Sequence, residues 1–353
     1  MACHPHCGDL LRHVLHYPRS LSWRVAFHPQ RMPLRERQSA KAIAAGFGAD
    51  LQDVAINARD GVQLRGWFAN PANANGDAVI LLHGVGDNRE GMGGFAELFL
   101  SKGYAVLLPD SRGEGESGGR FPTYGVKETD DVRRWFGWLT TQQHPRCIFG
   151  MGESMGAAIL LQAIKETRVL CGRRRSPFAS FRQIAYVRVG QFAGTGAWLG
   201  EIALRPAVEL AFLYGRITRG VLLTDASPED AVVGSSVPIL LIHGLSDNNI
   251  PFQQSESIRS HNPAEVFYPR SSTRCHSRVL SLSSTQHQYC HGKQDCGKPN
   301  PDRFILKNGE SLWREEAMDR NGRHADWSPW QEIAAVVERR EERDTQTAIR
   351  HRV

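Results

Sequence analysis

Hydrophobic positions in the first half of the chain fall into short runs of the length and pattern that β-strands require. Val54 to Ile56 and Val62 to Phe68 are two such runs, and the turn signal Asp60-Gly61 lies between them. This arrangement predicts a β-hairpin. Uninterrupted apolar runs bounded by turn residues predict three more strands, each buried on both faces: Ala78 to Leu82, Tyr104 to Leu108 and Cys147 to Met151.

Helical patterns occupy the intervals between these predicted strands. Helices are predicted near Met92 to Lys102, over Lys127 to Thr140 and from Ala157 onward, and a further strand is predicted at Pro238 to His243. Strands that alternate with helices are typical of βαβ units around a parallel sheet. The pattern therefore predicts an α/β fold, with a mostly parallel sheet and flanking helices.

Additional segments surround this predicted core. Residues 1–50 are interpreted as an N-terminal extension that contains an Ala-rich helix, Arg37 to Ala45. Residues 176–233 are rich in aromatic residues and leucine at mostly helical spacing, and they are too long for a plain connection. We therefore predict a helical cap there, inserted in a catalytic domain of residues 51–283. Residues 284–353 lack a periodic pattern and are predicted to form an atypical tail of the kind seen in disordered segments.

Composition and charge narrow the classes of partner. The 353 residues are 41% apolar and 23% charged, which fits one globular catalytic domain with extensions. A net charge of +6 is compatible with nucleic acid as a partner, but the basic residues are scattered, so we expect no nucleic-acid binding. Charged residues interrupt the apolar segment Leu10 to Trp23, so we expect no stable membrane insertion. Seven unevenly spaced cysteines without a secretory signal predict a cytoplasmic location.

The strongest chemical motif is Gly152-Glu153-Ser154-Met155-Gly156, between a predicted strand and a predicted helix. A nucleophile on a sharp strand-to-helix turn needs small residues two positions before and two positions after it. The following helix N-terminus favours developing negative charge, and the Met155 N–H points towards it. We therefore predict Ser154 as nucleophile and the Met155 amide as one donor of an oxyanion hole.

Two other loops are predicted to lie at the same edge of the sheet. The loop His83 to Arg89 follows a strand, and its His-Gly pair permits close approach. The Val85 amide is therefore predicted as the second oxyanion donor, and His83 as a residue that braces the loop. Asp247 comes just after the strand Pro238 to His243, at the edge where open α/β sheets bind ligands. Asp247 is therefore predicted to orient a catalytic histidine.

These three loops, together with the stretch Pro109 to Gly119, resemble the serine aminopeptidase-like and lysophospholipase-like branch of the α/β hydrolases. The resemblance extends over roughly Val54 to Pro263. It implies an α/β-hydrolase fold with a helical cap insertion, a Ser-Asp-His triad and no cofactor. A nucleophilic serine of this kind is expected to form an acyl-enzyme. Because that branch includes esterases, lipases and thioesterases, the resemblance does not imply peptidase activity.

The resemblance also implies that the histidine follows the acid and a last strand, and a remnant of that strand is visible at Glu265 to Tyr268. This assigns the base to His276. The bulky, cationic surroundings of His276 leave other late histidines open as rivals: His261, His287 and His291.

Two segments depart from the resemblance. Val169 to Arg175 stands where a buried strand is implied, but three consecutive arginines would be costly to bury, so we expect no core strand there. After Arg270 the expected pattern is lost. Local frame shifts in the coding sequence would explain both departures.

The expected activity is that of a serine hydrolase that cleaves an ester or amide bond of a small molecule. Aromatic residues of the predicted cap favour an apolar group in that substrate: Phe178, Phe181, Tyr186, Phe192 and Trp198. The alternative, favoured by the two departures, is a catalytically impaired homologue that binds a ligand or a partner.

Late and N-terminal histidines and cysteines have the ligand types of a zinc site, but their spacing matches no common closed site, so no metal is predicted: Cys3, Cys7, His287, Cys290, His291 and Cys296.

Overall fold

The computed structural model describes residues 31–164, 170–172, 174–175, 178–192, 202–237, 239–243, 247, 249–264 and 266–267. Within these residues the strands are β1 (Gln52–Asn57), β2 (Gln63–Ala69), β3 (Ala78–Leu82), β4 (Ala105–Pro109), β5 (Ile148–Gly152), β6 (Leu170–Gly172), β7 (Arg174–Arg175), β8 (Ile239–Ile242) and β9 (Val266–Phe267). The helices are α1 (Arg37–Gly46), α2 (Gly93–Ser101), α3 (Glu128–Gln143), α4 (Met155–Ala163), α5 (Phe181–Phe192), α6 (Arg205–Arg219), α7 (Pro228–Ala231) and α8 (Gln253–His261), with 3-10 turns at Arg89–Met92 and Leu223–Asp225.

The strand order places the strands predicted from uninterrupted apolar runs in the middle of the sheet. One sheet has the order β1-β2-β4-β3-β5-β6, and a second has the order β7-β8-β9. Strands β1 and β2 form the predicted antiparallel hairpin, and β2 also pairs antiparallel with β4. All other pairings are parallel. The predicted mostly parallel sheet is therefore confirmed.

Burial explains why the central strands have uninterrupted apolar sequences. Every residue of β3 and β4 is buried, because helices cover both faces of the parallel part of the sheet. Helix α4 is nearly as enclosed, with eight of its nine residues buried. A helix that is apolar on all sides belongs in the core, and α4 packs directly behind the strand that carries the elbow.

The segment Val169 to Arg175 differs from the sequence prediction. We expected no core strand there, but Leu170 to Gly172 pairs with β5 and Arg174–Arg175 pairs with β8. Strand pairing is made by backbone N–H and C=O groups, so flanking strands with open edges pair with a segment whatever its side chains are. The predicted strand remnant near residue 266 is confirmed, since Val266 and Phe267 pair with β8.

Helices dominate the described part of the predicted cap. Phe181 on α5 packs against Tyr124, with ring centroids 4.3 Å apart, and against Phe212 on α6 at 6.1 Å. Phe178 and Tyr186 are buried in the same hydrophobic cluster. These three aromatic residues therefore hold the cap helices on the domain; the side chains of Phe192 and Trp198 lie outside the described residues. The predicted tail, 284–353, also lies outside them.

Two observations concern the predictions about membrane insertion and cellular location. In the part of the chain that the structure describes, no helix is both long and apolar enough to cross a bilayer. Cys147, immediately before β5, is disulfide-bonded. Disulfides persist in oxidising compartments and are rare in the cytoplasm, so this bond does not support the predicted cytoplasmic location. That location stays a prediction.

Candidate active site

Ser154 lies on the sharp turn between β5 and α4. Its backbone has φ 49° and ψ −112°, a combination that residues with a side chain rarely adopt. The residue is half-buried, whereas Met155, the first residue of α4, is buried. This conformation raises the Ser154 side chain out of the line of the strand, as a nucleophile elbow requires.

The glycines on both sides of Ser154 are required by close backbone approach. A Cβ on Gly152 would lie 2.4 Å from the carbonyl carbon of Gly156 and 2.5 Å from the nitrogen of Ala157. A Cβ on Gly156 would lie 2.3 Å from the Leu82 oxygen. Since atoms at such distances overlap, the start of α4 packs onto the ends of β5 and β3 only because both positions lack a side chain.

The loop after β3 lies against this elbow. A Cβ built on Gly84 would be 3.7 Å from the Cβ of Ser154, and the Glu153 amide donates to the Leu82 carbonyl at 3.0 Å. Val85, the next residue, is 41% exposed. The two amides predicted to form an oxyanion hole, those of Val85 and Met155, therefore belong to segments that meet at Ser154.

His83 is engaged in bracing contacts on both ring nitrogens. Its Nδ1 donates to the Gly84 carbonyl at 2.7 Å, and its Nε2 accepts from the Ser111 amide at 3.0 Å. One donor and one acceptor define a neutral imidazole. The ring is fully buried and joins the loop after β3 to the end of β4.

A buried ion pair joins the same two segments, and the sequence analysis missed it. The Arg89 amide donates to Asp110 Oδ1 at 2.8 Å, and the Arg89 guanidinium donates to Oδ2 at 2.8 and 3.1 Å. Asp110 Oδ2 also accepts from the Glu116 amide at 2.7 Å. The available signal was an acid directly after a buried strand, but no local pattern identified its partner. This pair fixes the loop after β3 to the end of β4.

Asp247 lies beyond the carboxyl end of β8. Its Oδ1 accepts the backbone N–H groups of Asn249 at 2.8 Å and Ile250 at 3.0 Å. Its Oδ2 lies 3.7 Å from Nε2 of His243. Strand β8 is parallel to β7, which follows β6 after one residue, and β6 is parallel to β5. Asp247 and Ser154 are therefore at the same edge of the sheets.

His243 supports the loop of Asp247. Its Nε2 donates to the Ile250 carbonyl at 2.8 Å, and its Nδ1 contacts the Ser255 hydroxyl at 2.6 Å. Burial lowers the pKa of His243, because a charged imidazolium would be poorly solvated there. A neutral His243 with both nitrogens in use braces the acid loop.

Only one of the four candidate histidines from the late part of the chain is among the described residues. His276, the predicted base, lies outside the described residues, as do His287 and His291. His261 is described: it is exposed in the last turn of α8, and its Nδ1 donates to the Ser257 carbonyl at 2.8 Å. That nitrogen is therefore occupied by its own helix.

Among the described residues, no group of three or more His, Cys, Asp or Glu side chains could hold a metal ion. The histidines and cysteines with zinc-type chemistry near both termini lie outside those residues.

Comparison with known proteins identifies relatives of this chain. Residues 74–172 match the family model described as serine aminopeptidase, S33. The chain is 26% identical over 239 residues to the uncharacterized protein YqkD of Bacillus subtilis, an alignment that covers 65% of this chain and 73% of YqkD. It is 24% identical over 207 residues to the lysophosphatidylserine lipase ABHD12 of Danio rerio, with 55% of this chain and 52% of that protein covered.

Solved structures share the fold. The esterase Pf2001 of Pyrococcus furiosus matches with a TM-score of 0.54 and 24% sequence identity, over 72% of this chain and 91% of the esterase. An α/β hydrolase of Vibrio vulnificus matches with a TM-score of 0.53 and 19% identity, over 80% of this chain and 90% of that one. Together with the strand order, these likenesses show that the chain has the α/β-hydrolase fold.

Proposed function

We propose that this protein is a serine hydrolase that cleaves a carboxylic ester through an acyl-enzyme, with Ser154 as nucleophile. The observation that carries the proposal is the backbone of Ser154, which is held at φ 49° between two glycines that tolerate no side chain. Strained residues at such turns persist where the surrounding structure enforces them, and they are common at active sites. The family and the fold support hydrolase activity in general.

The proposed mechanism assigns a role to each residue. The Ser154 hydroxyl attacks the ester carbonyl while His276 removes its proton, and Asp247 orients that histidine and stabilises its charged form. The amides of Val85 and Met155 stabilise the negative charge on the carbonyl oxygen. His276 then protonates the leaving alcohol, and water hydrolyses the acyl-enzyme by the same steps.

An ester is proposed rather than a peptide because of the similar proteins. One of these proteins is a lysophosphatidylserine lipase, and another is an esterase. The apolar character of the cap sequence supports an acyl chain or an aromatic group in the substrate, although Phe178, Phe181 and Tyr186 are used in packing.

The decisive experiment is labelling of the full chain with a fluorophosphonate, which reacts only with an activated serine. We expect one labelled site, and we expect Ser154→Ala to abolish both the labelling and the turnover of p-nitrophenyl butyrate. Ser101→Ala is the matched control, because Ser101 is an exposed serine at the end of α2. Labelling that persists in Ser154→Ala would exclude Ser154, and an unlabelled but folded wild-type chain would favour the impaired homologue.

Substitutions at the other proposed triad positions should lower turnover by different amounts. In Asp247→Asn, the side-chain oxygen can still accept from the Asn249 and Ile250 amides, so the loop should persist while the charge is lost. Turnover should fall by roughly 10² to 10⁴-fold. His276→Ala should be at least as severe, whereas His261→Ala should be active. Full activity of His276→Ala would reassign the base to His287 or His291.

A further inference from the structure

Glu114 is a buried carboxyl group that the proposed mechanism does not use. It lies in the segment after β4, with 1% of its side chain exposed. Its Oε1 accepts the Gly86 N–H at 2.6 Å, and its Oε2 is buried without a hydrogen-bond partner among the described residues. Gly86 directly follows Val85. The contact therefore fixes the peptide unit next to the amide that is proposed to bind the oxyanion.

Among the described residues, the cations near Glu114 are committed to other partners. Nδ1 of His83 lies 3.7 Å from Oε2, but both nitrogens of that ring are committed as in a neutral imidazole. The neighbouring arginines are also engaged, Arg89 with Asp110 and Arg112 with Asp131. The ionisable groups that act on Glu114 disfavour its negative charge: Asp87, Asp110 and Glu128.

These surroundings favour the protonated form of the Glu114 carboxyl group. Burial, reinforced by the carboxylates of Glu128, Asp87 and Asp110, raises the pKa of Glu114 well above its ordinary value. A neutral carboxyl group still accepts the Gly86 N–H through its carbonyl oxygen. An ionised one would place a negative charge close to the loop that is proposed to bind a negative oxygen.

We propose that Glu114, as a neutral carboxylic acid, is a positioning residue that aims the Val85 peptide at the carbonyl oxygen of the substrate. This inference rests on the proposed function, since it gives the oxyanion loop a purpose. It adds a residue that the motif around Ser154 does not contain. Glu114 acts through Gly86 and does not itself contact the substrate.

Three variants separate positioning from general packing. Glu114→Ala removes the acceptor for Gly86 and should lower kcat for p-nitrophenyl butyrate by about tenfold, less than the loss of a direct oxyanion donor. Glu114→Gln keeps a neutral acceptor and should restore kcat to within about threefold of the wild type at pH 6, with KM little changed in both variants. Glu256→Gln is the control, because Glu256 is an exposed glutamate on α8.

The pH profile supplies a readout that packing alone would not change. On its alkaline side, the wild-type enzyme should lose kcat as Glu114 ionises, and Glu114→Gln should lack that loss. Superimposable alkaline limbs, or equal kcat for Glu114→Ala and Glu114→Gln, would overturn the positioning role. Failure of the wild type to react with fluorophosphonate would instead overturn the proposed function, so the two failures are distinguishable.

Thermal stability tests the protonation state without any substrate. The pKa of a glutamate in the unfolded chain is about 4.3, and that of folded Glu114 is higher, so the folded chain binds the proton more tightly. The stabilisation is complete below pH 4.3 and decreases as the pH rises towards the folded pKa. The Tm of Glu114→Gln minus the Tm of the wild type should therefore increase by at least about 2 °C between pH 4.5 and pH 8. A Tm difference that is independent of pH would show that Glu114 is not held neutral.

Discussion

The backbone of Ser154 is held in a conformation that costs a non-glycine residue about 1 to 3 kcal/mol. Its φ of 49° persists because neighbours on both sides leave no alternative path for the chain. Gly152 and Gly156 let β5, α4 and the end of β3 approach to within contact of backbone atoms. The nearly complete burial of α4 offsets the strain at the turn. At this scale the site is determined by the space that two missing side chains leave.

Gly156→Ala should therefore disrupt the elbow. The new Cβ would lie 2.3 Å from the Leu82 oxygen and 2.7 Å from the His83 oxygen, so the end of β3 has to move. We expect a loss of about 2 to 3 kcal/mol of unfolding free energy and at least a tenfold loss of turnover. Urea denaturation and ester hydrolysis measure the two effects.

Gly137→Ala is the matched control for this substitution. Gly137 is an exposed residue within α3, and a Cβ there would meet nothing within 4 Å. Alanine has the higher helix propensity, so this variant should be unchanged or more stable by up to about 1 kcal/mol. Equal losses in the two glycine variants would contradict the argument from backbone approach.

At the scale of elements, α6 shows that an apolar pattern does not by itself identify the buried face of a helix. Val208, Phe212 and Gly215 face the core, whereas Leu213 is 49% exposed and Ile217 is 75% exposed. Both faces of this helix carry large apolar residues. Tertiary contacts such as that between Phe212 and Phe181 of α5 decide which face is buried.

Phe212→Ala should destabilise the protein by about 3 to 5 kcal/mol, because it leaves a cavity between α5 and α6. Leu213→Ala, one position further along, removes an apolar side chain of similar type from the exposed face. It should change the unfolding free energy by no more than about 0.5 kcal/mol. Chemical denaturation of both variants measures the difference. Comparable losses would mean that the outer face of α6 is also covered.

Over the whole molecule, Arg112 connects segments that are distant in sequence. Its Nε and Nη2 donate to Asp131 on α3 at 2.7 and 2.6 Å, and its Nη1 donates to Asp60 in the β1–β2 turn at 2.8 Å. The guanidinium is buried, with side-chain exposure of 6%. The segment after β4 is thereby joined both to the hairpin and to the helix that covers the sheet.

Removal of this guanidinium should be costly. Arg112→Ala leaves Asp131 buried without its partner, and we expect a loss of about 3 to 5 kcal/mol of unfolding free energy. Arg134→Ala, which breaks an exposed pair with Asp130 within α3, should cost only about 0.3 to 0.5 kcal/mol. Urea denaturation at pH 7 compares the two. Similar losses would contradict the dependence on burial.

The ion pair between Arg112 and Asp60 makes the stability of the protein depend on acid pH. The hydrogen bond from Arg112 lowers the pKa of Asp60 to about 2, against about 3.9 in an unfolded chain. A lowered pKa gives stability that is present above pH 3.9 and is lost as the pH falls towards 2. The Tm difference between the wild type and Arg112→Ala should therefore narrow between pH 4 and pH 2. A gap of constant width would exclude this contribution.

Local signals were sufficient for most strands and helices, and for the position of the elbow. The apolar run Ala78 to Leu82 matches β3 residue for residue, and the run Cys147 to Met151 is shifted by one residue from β5. Glycine spacing around Ser154 is likewise a local signal, because it concerns residues two positions apart. These features depend on neighbours in sequence, so the sequence by itself determined them.

The tertiary structure decided what depends on residues that are distant in sequence. Arg89 and Asp110 are 21 positions apart, and Gly86 and Glu114 are 28 apart, so no periodicity connects them. The strand at Arg174–Arg175 likewise depends on a distant segment, because its backbone pairs with β8. The identity and spacing of residues along the chain determined the positions of the strands, the helices and the turn at Ser154. The folded arrangement alone decided which buried groups hold the candidate site in place, because hydrogen bonds and burial act between groups that only folding brings together.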